Sequence, residues 1–206
     1  MPSPYLSIWT SPRVTVRSLV QNGPTIDIPI IACLGGVAGS LDRSLDTDLA
    51  DKMEFLPFLG LTFFVGSLGG LITLYLGSFF VSFTGGWLKG RGSLEQIRTA
   101  LAWSSVPKAF SLFPWAVLIA LGGRELFQSP DETLEVMSID TLLTVASMMV
   151  IIVVSNIWSL ILACQTLAEV QQFQSGWRAF LNLIAAGLII VVPLVLLFSA
   201  ILIASG

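Results

Sequence analysis

The residues best placed for chemistry are two cations that stand just before a predicted helix. Lys89 and Arg91 precede Ser93, which forms a capping-box pattern with Gln96 three residues later and therefore predicts a helix start. Free amides at a helix N-terminus together with basic side chains suit a phosphate, and we expect that of a lipid headgroup. Glycines before this helix give a backbone that is able to turn sharply. They are Gly85, Gly86, Gly90 and Gly92. In the alternative interpretation, the two cations only mark the cytoplasmic side of a membrane.

The side chains that enzymes most often use are scarce. The 206 residues include no histidine and two cysteines, Cys33 and Cys164, both within apolar runs. Without histidine the commonest metal ligand and the commonest general base are missing. The spacing of a nucleotide P-loop is absent, and a formal net charge of -3 does not favour nucleic acid. We predict no enzymatic activity, no metal, no cofactor and no nucleic-acid partner.

The composition places these residues in a membrane protein. Hydrophobic residues make up 54% of the chain and charged residues 11%, against roughly 25% charged in soluble domains. Charge-free runs exceed the ~20 residues that cross a bilayer. We predict one all-α domain over residues 1–206, a polytopic helical bundle with a cytoplasmic segment at 1–25. Five spans are predicted at about 26–41, 56–84, 107–123, 141–168 and 179–204. A re-entrant first segment, which leaves four spans, is the alternative.

The distribution of basic residues predicts the orientation of the bundle. Five spans place seven of the ten basic residues on the face that carries the N-terminus. The positive-inside rule then puts the N-terminus in the cytoplasm and the C-terminus outside, in the inner cell membrane. Lys108 is expected to snorkel from the start of the third span, and Asp42 is assigned to an outer loop.

Two short surface helices are predicted on the cytoplasmic face. The first covers 12–20, with Pro12 at its first position and Arg13 and Arg17 on one side. The second covers 93–106, with Arg98 on its polar side, Trp103 at the membrane interface and Pro107 ending or kinking it. Arg13, Arg17 and Arg98 join the two cations of the loop as candidate contacts for lipid or a partner protein.

Small and polar residues inside the spans are assigned to helix packing. Two small-xxx-small pairs would let helices approach closely, and amides would bond across their interfaces. These residues are Gly35, Gly39, Gly66, Gly70, Asn156 and Asn182. A polar path for a substrate is the alternative. No ionisable side chain is expected at the middle of a span, which disfavours an ion-coupled transporter.

Three stretches together resemble a known family. They are Trp9 to Arg17, Gly86 to Ser93 continuing from Arg98 to Pro107, and Leu167 to Phe173. In this order they are similar to the bacterial branch of the Yip domain family, the Ypt-interacting membrane proteins. The resemblance implies five helices and a cytoplasmic N-terminus. For eukaryotic members it also implies binding to Rab-type GTPases and a role in membrane traffic.

These features favour a membrane-organising or adapter protein that acts through its cytoplasmic surface helices. Its expected partners are membrane lipids and a membrane or cytoplasmic protein, and a homo-oligomer is compatible with the glycine pairs. The alternative function is a transporter or channel for a small molecule or a lipid, which rests on the polar residues of the spans.

Overall fold

The computed structural model of the chain describes residues 3–23, 25–127 and 139–205, and side chains up to residue 200. Within these ranges it is helical, with no strand, which confirms the all-α prediction. The helices are α1 (Pro4–Thr10), α2 (Pro12–Asn22), α3 (Asp27–Ser44), α4 (Leu49–Lys52), α5 (Phe55–Trp87), α6 (Leu94–Ser104), α7 (Val106–Phe110), α8 (Leu112–Gly122), α9 (Ile139–Val170) and α10 (Gly176–Ser205), with a 3-10 turn at Glu125–Phe127.

Four helical stretches in the described ranges are long and apolar enough to cross a membrane. They are Phe55–Trp87, Leu94–Gly122, Ile139–Val170 and Gly176–Ala200. Their outward faces carry exposed Leu, Ile, Val and Phe side chains, as lipid contact requires. The predicted first span corresponds to α3, which is 18 residues long and falls outside this group. It extends beyond the predicted boundary at residue 41, so that Asp42 belongs to a helix and not to a loop.

Glycine allows α3 to pack closely against α5. A Cβ atom on Gly66 would lie 2.7 Å from the Val37 Cα atom, and one on Gly70 would collide with the Ala32 carbonyl oxygen. Later residues of α3 meet earlier residues of α5, so the two helices are antiparallel. Gly36 is the α3 glycine at this contact. The predicted pair from α3 faces a different neighbour: Gly35 lies against Ser105, and Gly39 lies against the Lys108 side chain.

The second predicted surface helix is part of a longer helical run. Helices α6, α7 and α8 follow one another with only Ser105 and Ser111 between them. Six of the 11 residues of α6 are buried, and its Ala100 carbonyl accepts a hydrogen bond from the Thr166 hydroxyl of α9 at 3.2 Å. The prediction of a separate surface helix at 93–106 is therefore wrong, because α5, α9 and α3 cover this segment.

The last helix is fixed to the bundle mainly through its first half. Asn182 of α10 is fully buried, its Oδ1 atom accepts from the Thr84 hydroxyl, and its amide nitrogen donates to the Val81 carbonyl at 3.1 Å. The side-chain amide of Asn182 thus forms hydrogen bonds across a helix interface. From Val191 to Ala200 every residue is exposed. The second half of α10 thus presents an apolar surface of the kind that lipid covers.

Candidate functional site

The candidate site lies at one end of the bundle, where five of the ten basic residues gather. We call it the basic end; it consists of α2, the turn at 88–93 and the segment 169–178. Helix α2 begins with Pro12 at its first position, and it buries Val16 and Leu19 against the bundle. It extends through Asn22 and confirms the predicted helix. Ser11 occupies the N-cap position without a capping hydrogen bond from its side chain.

Both arginines of α2 bind partners on α9. The Arg13 Nε atom donates to the Gln165 Oε1 atom at 2.8 Å, and the Arg17 Nη2 atom lies 2.7 Å from the Glu169 Oε1 atom. The Arg17 side chain is 61% exposed, so this ion pair contributes at most about 1 kcal/mol. The sequence analysis assigned both residues to lipid or partner contacts, whereas the structure shows them holding the N-terminal helix on the bundle.

A surface cavity opens beside Arg13. Its volume is about 410 Å³, and the loop between α1 and α2 and one face of α9 line it. Trp9 and Trp158 supply apolar walls, and Arg13 and Gln165 supply the polar part. An indole pair next to a guanidinium is an arrangement common at the level of lipid headgroups. The cavity therefore adds a lipid-compatible surface to the basic end.

The glycine-rich turn is built around Gln171, which the sequence analysis did not identify. Gln171 is 1% exposed, and its side chain lies against the backbone of Gly85 and Gly90. The Arg91 amide donates to the Gln171 carbonyl at 3.2 Å, and the Gly90 amide donates to the Gly85 carbonyl at 2.8 Å. A Cβ atom on either glycine would collide with the Gln171 amide group. Glycine at these two positions therefore allows the backbone to lie close to the Gln171 side chain.

This packing yields a prediction for the turn. Gly90→Ala should displace Gln171 and lower the stability of the protein by roughly 1–3 kcal/mol, as overpacking commonly does. The melting temperature of the protein purified in detergent measures the effect. Gly86→Ala is the matched control, because a Cβ atom there meets nothing within 4 Å. An equal melting temperature for both variants would contradict the packing described.

The two cations of the turn point away from the bundle. Lys89 and Arg91 are exposed, and their side chains make no hydrogen bond or ion pair with any described residue. Lys89 adopts a left-handed φ of 63°, which glycine tolerates better than lysine. The capping box is confirmed, since the Ser93 hydroxyl accepts from the Gln96 amide and Gln96 Oε1 accepts from the Ser93 amide.

The capping box reduces the number of free backbone amides at the predicted phosphate site. It engages two backbone amides at the start of α6, so the amides of Leu94 and Glu95 remain for an external anion. The charges of Lys89 and Arg91 are unaffected. Attraction of anions to this turn thus depends mainly on its two side chains.

The predicted contact residue Arg98 and the predicted interfacial residue Trp103 pack against other helices. The Arg98 guanidinium carbon sits 4.7 Å from the centre of the Tyr75 ring, a cation–π contact with α5. Trp103 is 1% exposed, and its ring centre lies 4.9 Å from that of Tyr5. The predicted interfacial position of Trp103 is therefore wrong, and Arg98 faces α5 rather than solvent. Pro107 is buried near the start of α7, at the break after α6.

Tyr5 also connects α1 to the start of α3. Burial raises the pKa of Tyr5, and the neighbouring carboxylate of Asp27 raises the pKa further. Asp27 is the first residue of α3, so the N-terminal segment lies beside the start of that helix.

Two ionisable side chains also make contacts between helices of the bundle. Asp42 accepts hydrogen bonds from Trp115 Nε1 at 3.0 Å and from Asn156 Nδ2 at 3.3 Å. Asn156 stands near the midpoint of the charge-free run 141–168. Lys108 does not snorkel outward; it is half-buried, and its ammonium group lies over Gly39. The carboxylate of Asp42 thus contacts the middle of α9, and the ammonium group of Lys108 lies against α3.

The described residues offer few groups for metal or cofactor chemistry. Among them, no three His, Cys, Asp or Glu side chains lie together in a way that could hold a metal ion. The arrangement of the basic end instead favours electrostatic and apolar contacts.

Comparison with known proteins adds the family. The model of the Yip1 domain matches residues 6–197. No curated protein and no solved structure matches the chain. The matched range includes the basic end, three of the four membrane-spanning candidates and all but the last three residues of the fourth. It confirms the resemblance drawn from the three stretches. The chain is a multi-pass membrane protein and belongs to the Yip1 domain family.

Proposed function

We propose that this protein organises its membrane as a non-enzymatic adapter, contacting anionic lipids and a partner protein through the basic end. The observation that carries the proposal is the exposure of Lys89 and Arg91 without a partner among the described residues. Each cation near an anionic membrane surface contributes about 1 kcal/mol. Arg13 and Arg17 support this surface indirectly, by holding α2 in place.

The proposal includes five spans and a cytoplasmic N-terminus. Helix α3 has 18 residues, which corresponds to a length of about 27 Å, close to the ~30 Å hydrocarbon core. Its close antiparallel packing on α5 supports a full crossing rather than a surface position. Five crossings put α2 and the turn at 88–93 on the same face, and the positive-inside rule assigns that face to the cytoplasm.

The proposed contact of Lys89 and Arg91 with anionic lipid can be tested directly. Lys89→Gln combined with Arg91→Gln should lower the affinity for phosphatidylglycerol roughly 10- to 30-fold, since two contacts of about 1 kcal/mol are lost. Native mass spectrometry of the purified protein measures the effect, as the amount of phosphatidylglycerol retained relative to phosphatidylcholine. Lys52→Gln is the matched control, because Lys52 is exposed at the opposite end of α5. Unchanged phosphatidylglycerol retention in the double variant would overturn the lipid contact.

A transporter of lipids or small anions is the second candidate function. The observation that favours it is the position of Asp42 and Lys108 among the helices of the bundle, since ionisable residues inside membrane spans commonly mark substrate paths. Reconstituted vesicles that show no lipid movement above empty vesicles would count against it.

A further inference from the structure

A second cavity lies within the bundle. Its volume is about 520 Å³, and α3, α5, α6, α7, α9 and α10 line it. Glycine, serine, threonine and aliphatic residues form most of the wall, and the charged residues of the wall are Arg43 and Lys108. No acidic residue lines it. This volume falls in the range of small-molecule sites, ~300–1,000 Å³.

The two cations converge on one glycine. The Lys108 Nζ atom lies 2.6 Å and the Arg43 Nη1 atom 3.9 Å from the place where a Cβ atom on Gly39 would be, so the two charges are no more than 6.5 Å apart. A side chain at position 39 would push the ammonium group aside. Like charges this close repel, and the repulsion is stronger in a partly buried site than in water.

The charge of Asp42 attracts Lys108, and one carboxylate can offset only one of these two cations. Neither cation forms an ion pair with any described residue. Asp42 is the nearest acid along α3, but its two carboxylate oxygens accept hydrogen bonds from Trp115 and Asn156. The cavity therefore carries excess positive charge where charged side chains normally have a counter-ion.

We propose that this cavity binds a phosphate group held between Lys108 and Arg43. The oxygens of a phosphate point in several directions, so it can accept from an ammonium and a guanidinium on different helices at once. Ser40 and Ser105 line the same cavity and offer hydroxyl donors, while Val65, Leu160 and Ile190 give it an aliphatic side. These walls fit a phosphate that carries a substituent, and its source is a membrane lipid headgroup or a free phosphate.

This site is independent of the proposed contacts at the basic end. Lys108 and Arg43 are contributed by α7 and α3, and neither belongs to α2 or to the turn at 88–93. The variant that carries Lys89→Gln and Arg91→Gln should therefore keep the phosphate site intact. Failure of the adapter proposal and failure of this one produce different results in the same set of variants.

The test uses the full chain, purified in a phosphate-free detergent and stripped of lipid. Inorganic phosphate and dioleoylphosphatidylglycerol are the two probes, and binding is measured by titration and by native mass spectrometry. Lys108→Gln and Arg43→Gln remove one charge each, Lys108→Arg keeps the charge, and Lys52→Gln is the control outside the cavity. Gel filtration verifies that each variant remains folded. Because the Arg43 side chain is exposed to solvent, Arg43→Gln is the substitution that should disturb folding least.

We expect Lys108→Gln and Arg43→Gln each to weaken binding about 10-fold or more, with Lys108→Arg and Lys52→Gln close to the original protein. Binding of the lipid alone identifies a headgroup as the source, whereas binding of inorganic phosphate identifies a free phosphate. The proposal is overturned if neither probe binds the original protein, or if both probes bind the two charge-removing variants as tightly as they bind the original.

Discussion

Gly70→Ala is expected to destabilise the protein by about 2–3 kcal/mol, the upper part of the usual overpacking range. A Cβ atom at this position would collide with the Ala32 carbonyl oxygen and lie 3.0 Å from the Gly36 Cα atom. Backbone atoms cannot move aside as a flexible side chain can, so α3 must shift away from α5. We expect the melting temperature in detergent to fall by roughly 5–10 °C.

Gly60→Ala on the same helix is the control, with the opposite expected sign. A Cβ atom on Gly60 meets nothing within 4 Å, and alanine favours a helix over glycine by about 1 kcal/mol. Its melting temperature should therefore stay the same or rise. If Gly70→Ala were as stable as Gly60→Ala, the close contact between α3 and α5 would be refuted, and with it the main support for α3 as a fifth span.

Asp42→Leu is expected to cost roughly 2–3 kcal/mol, because it leaves the indole N–H of Trp115 without its acceptor and removes one from Asn156. Trp115 is 1% exposed, so water cannot easily replace the carboxylate. Asn156 keeps one bond, to the Ile152 carbonyl at 3.0 Å. The melting temperature should fall, and the fluorescence of the buried indole should change with it.

Asp42→Asn tests the role of the hydrogen-bond acceptor at position 42 separately from that of its negative charge. An asparagine retains one carbonyl oxygen for the Trp115 indole, so about half of the loss should be recovered. Asp46→Leu is the matched control in the exposed segment that follows α3 and should be close to neutral. If Asp42→Leu were as stable as Asp46→Leu, the carboxylate would not be the acceptor that links α3, α8 and α9.

Local patterns allowed the helices and one cap to be predicted. The three runs at 56–84, 141–168 and 179–204 fall inside α5, α9 and α10, because long apolar stretches without charge have few other stable forms in a membrane. The Ser93–Gln96 capping box depends on residues three apart and was equally readable.

Contacts between helices distant in sequence could not be predicted. Asp42 and Lys108 stand at the ends of apolar runs, and hydropathy alone treats such charges as boundaries. Only the packing of the helices brings Asp42 to Asn156 of α9 and the ammonium group of Lys108 to Gly39 of α3. Likewise, the spacing of glycines in α3 would allow close packing on either of two faces of that helix. In the structure Gly36 lies at the contact with α5.

The surroundings of Arg98 and Trp103 on α6 differ from those predicted for a related reason. An amphipathic pattern identifies a polar face but not what covers it. On α6 the face with Arg98 meets the Tyr75 ring of α5, and Trp103 is covered by the N-terminal segment. Lys89 and Arg91 stay exposed because the turn that carries them wraps around Gln171 and points them away from the core.

The most direct test of the proposed function is photo-crosslinking in native membranes from the two ends of α5. A benzoylphenylalanine replaces Trp87, which is 62% exposed beside the turn, or Leu56, which is 79% exposed at the other end. We predict adducts with anionic lipids and a discrete partner protein at position 87, which Lys89→Gln with Arg91→Gln abolishes and which position 56 does not give. The same adducts at both positions, or adducts at position 87 that survive the charge removal, would contradict the adapter function of the basic end.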